Sequence, residues 1–169
     1  MTYQEALKYL DSFIDYEKRP VFDYRAAMNL GRMRALLDGL GNPQRNFRSI
    51  HIAGTKGKGS TCAFVYSILK EGGIKAGLYT SPHLIDFKER IRISFPKERN
   101  IEEAEVAALV TRMKRFLDNF SKSSKFGPPS FFEVYTALAF LFFSIKKTDI
   151  AVIEVGMGGR LDATNTLDP

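Results

Sequence analysis

The sequence predicts an α/β domain of the phosphate-loop type, a mainly parallel sheet flanked by helices. Three observations carry that prediction. Segments of strand character alternate with helical ones, the pattern of βαβ units. A glycine-rich turn, Gly54-Thr55-Lys56-Gly57-Lys58-Gly59-Ser60-Thr61, stands between a strand and a helix. Each further polar constellation also follows a strand, the place where open parallel sheets bind ligands.

In chain order, Thr2 and Glu5 fit a capping box, and Ala6, Leu7, Leu10, Phe13 and Ile14 form one apolar helical face. A second helix is expected over residues 24–40, with Met28, Met33, Leu36, Leu37 and Leu40 inward, stopped by Gly41, Asn42 and Pro43. Residues 48–53 read as the first strand and 61–71 as the helix after the glycine turn. Residues 75–79 read as a second strand, 80–89 as a polar loop, and Ile91 and Ile93 as a short strand beyond it. Residues 101–120 form an amphipathic helix with Val106, Leu109, Val110, Met113, Phe116 and Leu117 buried. A polar loop follows at 121–129, and Ser130 to Glu133 opens an apolar helix with a second capping box. Residues 150–155 are a continuous apolar strand, leading into Gly156-Met-Gly-Gly-Arg-Leu-Asp-Ala-Thr-Asn165.

Composition bounds the function. With 169 residues, 44% of them hydrophobic and 14 of them Phe, the chain suits one globular domain better than two. A net charge of +6 fits anionic small molecules, and no aromatic-basic stripe or recognition helix points to nucleic acid. The lone cysteine, Cys62, excludes an internal disulfide and suits a reducing cytoplasm. Glu5, Lys8 and Asp11 interrupt any signal-peptide run. The apolar stretch 131–145 contains Glu133 and falls short of the ~20 residues a membrane span needs. The end at Pro169, directly after a glycine-rich loop, is what a fragment of a longer protein would show.

The glycine turn is the strongest chemical signal. Backbone N–H groups in such a turn and the positive end of the following helix face an anion, and a lysine neutralises the outer phosphates. The match to Gly-x-x-x-x-Gly-Lys-[Ser/Thr] is a shortened one, since Ile52 stands where the first glycine would be and Gly59 where the hydroxyl would be. A turn that merely joins strand to helix is the bland alternative, against which stand the second lysine, Lys56, and the flanking elements.

Glu154 ends an otherwise apolar strand, and such an acid is costly unless it is paired or holds a metal. It is a candidate magnesium ligand beside nucleotide phosphates; a solvent-facing carboxylate or a pair with Arg160 would be the alternatives. Ser81, in Tyr-Thr-Ser-Pro-His83, is a weaker candidate, because serine before proline is also ordinary turn chemistry. His83 has no partner at a telling spacing and reads as structural. Glu133 is accounted for by helix capping alone. Gly156, Gly158, Gly159, Arg160 and Asp162 look like a second ligand-facing loop, although the glycines also suit a plain turn.

Together these pieces resemble the folylpolyglutamate synthase/dihydrofolate synthase family, within the ATP-dependent Mur-type ligases. The matching segments are Leu-Gly-Asn-Pro43, His-Ile-Ala-Gly-Thr-Lys-Gly-Lys-Gly-Ser60, Tyr-Thr-Ser-Pro-His-Leu84 with Glu-Arg-Ile91, Ser-Phe-Phe-Glu133, and Glu-Val-Gly-Met-Gly-Gly-Arg-Leu-Asp-Ala-Thr-Asn165. They occur in family order and span nearly the whole chain.

The resemblance implies a truncated Mur-ligase central ATP-binding domain over residues 1–169, without the C-terminal glutamate-binding domain. It implies that ATP phosphorylates the carboxylate of folate or dihydropteroate and that the amine of L-glutamate attacks the acyl phosphate. Thr55, Lys56, Gly57, Lys58, Gly59, Ser60 and Thr61 would contact ATP, with Lys58 the catalytic residue, and Ser81 and Glu154 would hold Mg²⁺. Ser130, Phe131, Phe132, Glu133, Leu161, Asp162 and Ala163 would line the pterin pocket. Partners would be small molecules, with no nucleic acid or membrane, in a cytoplasmic monomer.

There are departures from the family pattern. Lys56 replaces a frequent asparagine, and Asn29-Leu30-Gly31-Arg32 stands where Gly-Leu-x-Arg is usual. Family members also carry about 400 or more residues in two domains, so this chain alone is expected to bind nucleotide weakly and to catalyse nothing. A Mur-type peptidoglycan ligase would share the phosphate loop but not Ser-Pro-His-Leu or Ser-Phe-Phe-Glu. A non-catalytic nucleotide-binding module is the rival from another class. A GTPase lacks support, because no Asn-Lys-x-Asp stretch occurs.

Overall fold

The computed structural model describes residues 1–16 and 27–168. Its elements are α1 (Tyr3–Leu10), α2 (Leu30–Gly39), β1 (Arg48–Ile52), α3 (Lys58–Glu71), β2 (Ala76–Tyr79), β3 (Ile91–Ile93), β4 (Arg99–Asn100), α4 (Glu103–Ser123), α5 (Phe131–Ile145) and β5 (Ile150–Glu154). The five strands form one sheet in the order β1-β5-β2-β3-β4.

The apolar run of β5 is explained by its central place. It pairs in parallel with β1 on one side, Ile50 opposite Val152, and with β2 on the other, Leu78 opposite Val152. A strand covered on both faces needs apolar residues at every position rather than at alternate ones. On one face α3 packs Cys62 and Tyr66 onto Ala76, Leu78 and Val152. On the other, Tyr79, Ala151 and Ile153 join the larger core built with α5 and α4. Phe140, Phe142 and Phe143 of α5 are fully buried there, each contributing on the order of 1.5–3 kcal/mol. This is a core helix, and among the described residues no helix is long and apolar enough to cross a membrane.

The sheet is parallel at its centre and antiparallel beyond it. β3 runs antiparallel to β2, and β4 antiparallel to β3. The two-residue β4 is too short to show a period-2 pattern, so no sequence signal announces it.

Both capping boxes form as expected: Thr2 with Glu5 in α1, and Ser130 with Glu133 in α5. Phe13 and Ile14 lie beyond α1, which ends at Leu10; Ile14 instead bridges to Ser130. The second helix begins at Leu30, later than its apolar spacing suggests, because Asn29 takes an extended conformation and caps it by accepting from Arg32 N–H. The earlier part of that expected helix, residues 24–26, lies outside the described residues. α3 starts at Lys58, three residues earlier than expected, and α4 runs on to Ser123.

Glu105 ties the far edge of the sheet to the helices. It accepts from Arg99 Nη1 at 2.7 Å and Nη2 at 2.8 Å, and pairs with Lys146 Nζ at 2.6 Å. Burial pushes its carboxyl up, but the hydrogen bonds from Arg99, Lys146 and Glu102 N–H outweigh it and hold the group at about 2. A depressed carboxylate stabilises the fold above its ordinary value of 4.5 and loses that contribution as pH falls toward 2. Urea midpoints measured across that window are therefore expected to fall more steeply for the wild type than for Glu105→Gln. Parallel curves for the two proteins would show that the cluster contributes nothing.

Candidate functional site

The glycine-rich loop crosses from the C-terminal end of β1 to the N-terminus of α3. Gly57 is the N-cap residue of α3 and has φ +75°, a conformation that favours glycine. It has no side chain to cap the 14-residue helix, so among the described residues the first N–H groups receive no side-chain cap from the N-cap position. Thr55, Lys56 and Ser60 are exposed at the loop surface. The Thr61 hydroxyl donates back to Gly57 O at 2.9 Å, so it braces the turn.

Glu154 and Ser81 meet beside this helix end although 73 residues separate them: Ser81 N–H donates to Glu154 Oε2 at 3.1 Å. Glu154 is 5% exposed. Burial raises its carboxyl above the usual range, opposed by the Ser81 N–H and by the charge of Lys58. Arg160 makes no ion pair with it: the groups acting on the Glu154 carboxyl are the Ser81 N–H and Lys58. Gly59 faces the same carboxylate, and a Cβ there would stand 3.6 Å from Oε1 and 3.7 Å from Oε2. A loop glycine, a lysine, a carboxylate and a serine thus converge at the strand ends. Among the described residues no cluster of three or more His, Cys, Asp or Glu side chains is set to hold a metal. A cation here would have to take most of its ligands from phosphate and water, as Mg²⁺ usually does.

Cys62 lies one turn into α3. Burial, and then the Glu154 charge, push its thiol up to about 12, so it is a packing residue and no nucleophile. His83 accepts from Arg90 Nε at 2.8 Å through Nδ1, a structural role as expected.

A largely apolar pocket opens on the other side of the β5 end. Tyr16, Ala27, Met28, Asn29, Ser130, Phe132, Glu133, Gly156, Met157, Leu161, Asp162 and Ala163 line it. Six of the seven expected substrate-pocket residues are therefore together. The seventh, Phe131, is not: it is 3% exposed, stacks on Tyr135 and carries the Arg90 guanidinium over its ring. Phe131 lies on the α5 face of Tyr135, four residues on, which packs into the core away from the pocket. Close packing explains Gly156, where a Cβ would come within 2.4 Å of Phe132 Cζ. Sequence reasoning did not assign Tyr16, Ala27, Asn29 or Met157 to the lining, and Met28, expected on the inward face of the second helix, stands outside that helix and lines the pocket instead. The N-cap preference of Asn29 was the one available clue.

Glu133 does more than cap α5. Arg32 Nε lies 2.9 Å from its Oε1 and 2.8 Å from its Oε2, and Ser130 N–H donates to Oε2 at 2.7 Å. Arg32 also donates to Ala27 O at 3.1 Å, which fastens the pocket rim to the α2 start. Asp162, fully buried, accepts from Met157 N–H at 2.7 Å and from Thr164 N–H at 2.9 Å, shaping the opposite wall.

No family model matches the chain. It is 39% identical over 169 residues to the dihydrofolate synthase/folylpolyglutamate synthase of Bacillus subtilis, a match that covers 99% of this chain and 36% of that protein. Folylpolyglutamate synthase from Thermotoga maritima superposes with a TM-score of 0.85 at 44% identity, over 99% of this chain and 36% of that one. A folylpolyglutamate synthase solved with AMPPCP and folate superposes with a TM-score of 0.86 at 36% identity, over 100% of this chain and 38% of that one. The chain thus spans little more than a third of the length of these relatives. Its sequence and its fold together make it a homologue of the folylpolyglutamate and dihydrofolate synthases, equivalent to a part of those proteins.

Proposed function

We propose that this chain is the N-terminal, ATP- and Mg²⁺-binding part of a ligase that joins L-glutamate to folate or dihydropteroate through an acyl phosphate. The observation that supports it most is the uncapped start of α3 beside Lys58, Ser81 and Glu154, with an apolar pocket across the same strand end. Such a reaction needs phosphates held in line, charge neutralised and water kept out, more than it needs a protein nucleophile.

In this reading the N–H groups of the loop and α3, with Lys56, Lys58, Ser60 and Thr61, cradle the ATP phosphates. Lys58 neutralises charge on the transferred phosphate. Ser81 and Glu154 would hold Mg²⁺, which when bound would neutralise phosphate charge. The pocket takes the pterin, with Phe132 offering an aromatic face and Glu133 and Asp162 offering acceptors to ring N–H donors. Phe131 supports that wall from behind. The glutamate-binding domain would belong to a further part of the protein, so the 169 residues alone catalyse no amide formation. Its partners are small molecules, and its setting a cytoplasmic monomer.

Calorimetric titration of ATP into the chain, with and without Mg²⁺, tests the reading. The wild type is expected to bind more tightly with the cation, and Glu154→Gln to bind equally with and without it. Because burial raises the Glu154 carboxyl, the cation's benefit should fade as pH drops and the proton competes. A folded chain that binds no ATP, or steady amide formation by these 169 residues, would overturn it.

A further inference from the structure

The Thr164 hydroxyl fixes the direction of a hydrogen-bond chain between β1 and the pocket. Its single hydrogen goes to Asp162 Oδ1, a carboxylate oxygen that can only accept. His51 Nε2 lies 2.8 Å from the same hydroxyl oxygen, so the imidazole must be the donor. A neutral ring satisfies this only with its hydrogen on Nε2 and the lone pair on Nδ1. Burial lowers the His51 pKa, against the pull of Asp162, and so favours the neutral ring.

The chain links two regions that 113 residues separate. His51 sits on β1, three residues before Gly54 and the phosphate loop. Asp162 lines the pocket, and Thr164 is fully buried between them. Asp162 Oδ1 takes the Thr164 hydroxyl and N–H, and Oδ2 takes Met157 N–H. Of the roughly four acceptor sites on a carboxylate, three are filled by these bonds, which hold the fully buried group in one orientation at the pocket wall.

We infer that His51 is a positioning residue: acting through Thr164, it holds the Asp162 carboxylate at the pocket wall and ties that wall to the strand that carries the phosphate loop. The link to ligand binding rests on the pocket being the substrate site proposed above; the hydrogen-bond chain does not. A histidine satisfied merely by burial would leave Asp162 and its loop unchanged when removed.

The test uses ¹⁵N-labelled protein. The chain has two histidines, and His83→Gln assigns the other. Long-range ¹H–¹⁵N correlation is expected to show His51 with its hydrogen on Nε2, and to lose that fixed tautomer in Thr164→Val. Amide exchange at Met157 and Thr164 should rise about tenfold in Thr164→Val and His51→Ala, with the amides of β1 and β5 unchanged. His51→Gln, which keeps a side-chain N–H donor, should retain most of the protection. A hydrogen on Nδ1, unchanged exchange at Met157, or a rise spread evenly over the sheet would overturn the inference.

Titration with pteroate then separates the two ideas. Thr164→Val should bind about three- to tenfold more weakly than wild type, the worth of one hydrogen bond. Altered exchange with unchanged pteroate affinity would sink the proposed tie to the pocket. A wild type that binds no pteroate would refute the functional reading of the pocket, while the exchange data would still decide the role of His51.

Discussion

Lys58→Ala is expected to lower affinity for ATP by roughly 10- to 100-fold, the worth of a charge-assisted hydrogen bond to phosphate. Isothermal titration of the wild type and the variant checks this, and unchanged affinity would mean that the loop does not hold phosphate. The effect should be confined to binding. Lys58 is the first residue of α3, where alanine is a good helix former, and the described residues give its ammonium no hydrogen-bond partner in the chain. One local consequence follows. With the lysine gone, the Glu154 carboxyl loses the charge that opposes its burial, so it should hold its proton to higher pH. Lys56→Ala should cost less, because Lys56 stands exposed in the loop, where water screens its charge.

Arg32→Ala is expected to destabilise the fold by about 3–5 kcal/mol, because it strands a buried carboxylate without its counter-charge. For a chain of this size that lowers the thermal midpoint by roughly 10 °C, readable by circular dichroism. Arg32 is 6% exposed and Glu133 2%, so water cannot replace the missing partner. Burial already pushes the Glu133 carboxyl up against the pull of Arg32 and Ser130. Without Arg32 it rises further, and an acid with a raised folded pKa penalises the fold as pH climbs above its unfolded value. The penalty should therefore be largest near neutral pH and shrink in acid. Arg32→Met with Glu133→Leu should recover much of the loss, since an apolar pair of similar size needs no desolvation. Equal stability of Arg32→Ala and wild type at pH 7 would show that the pair contributes little. The pair also matters for the pocket: Arg32 holds Ala27 O and Glu133 together, so the double variant should be stable yet bind a pterin poorly.

The features legible in the sequence are those set by neighbours in the chain. The strand–turn–helix around Gly57, the two capping boxes and the buried run of β5 all depend on spacings of a few residues. Such spacings fix local dihedrals and hydrogen bonds whatever the rest of the chain does. The family resemblance rested on the same local segments, and six of the seven residues it assigned to one pocket do line one pocket.

Other features were decided only by tertiary structure. The antiparallel β3–β4 edge depends on pairing partners that no local pattern names. The break at Asn29 overrides the helical spacing that continues through Met28, because capping and the Arg32–Ala27 contact outweigh one more turn. Phe131 turned to the core because Tyr135 and Arg90 meet it there, while its neighbour took the pocket. The pairs Arg32–Glu133 and His51–Thr164 span 101 and 113 residues. Each is a short contact between side chains or N–H groups whose positions the sheet order sets, and nothing in the sequence around either partner specifies the other.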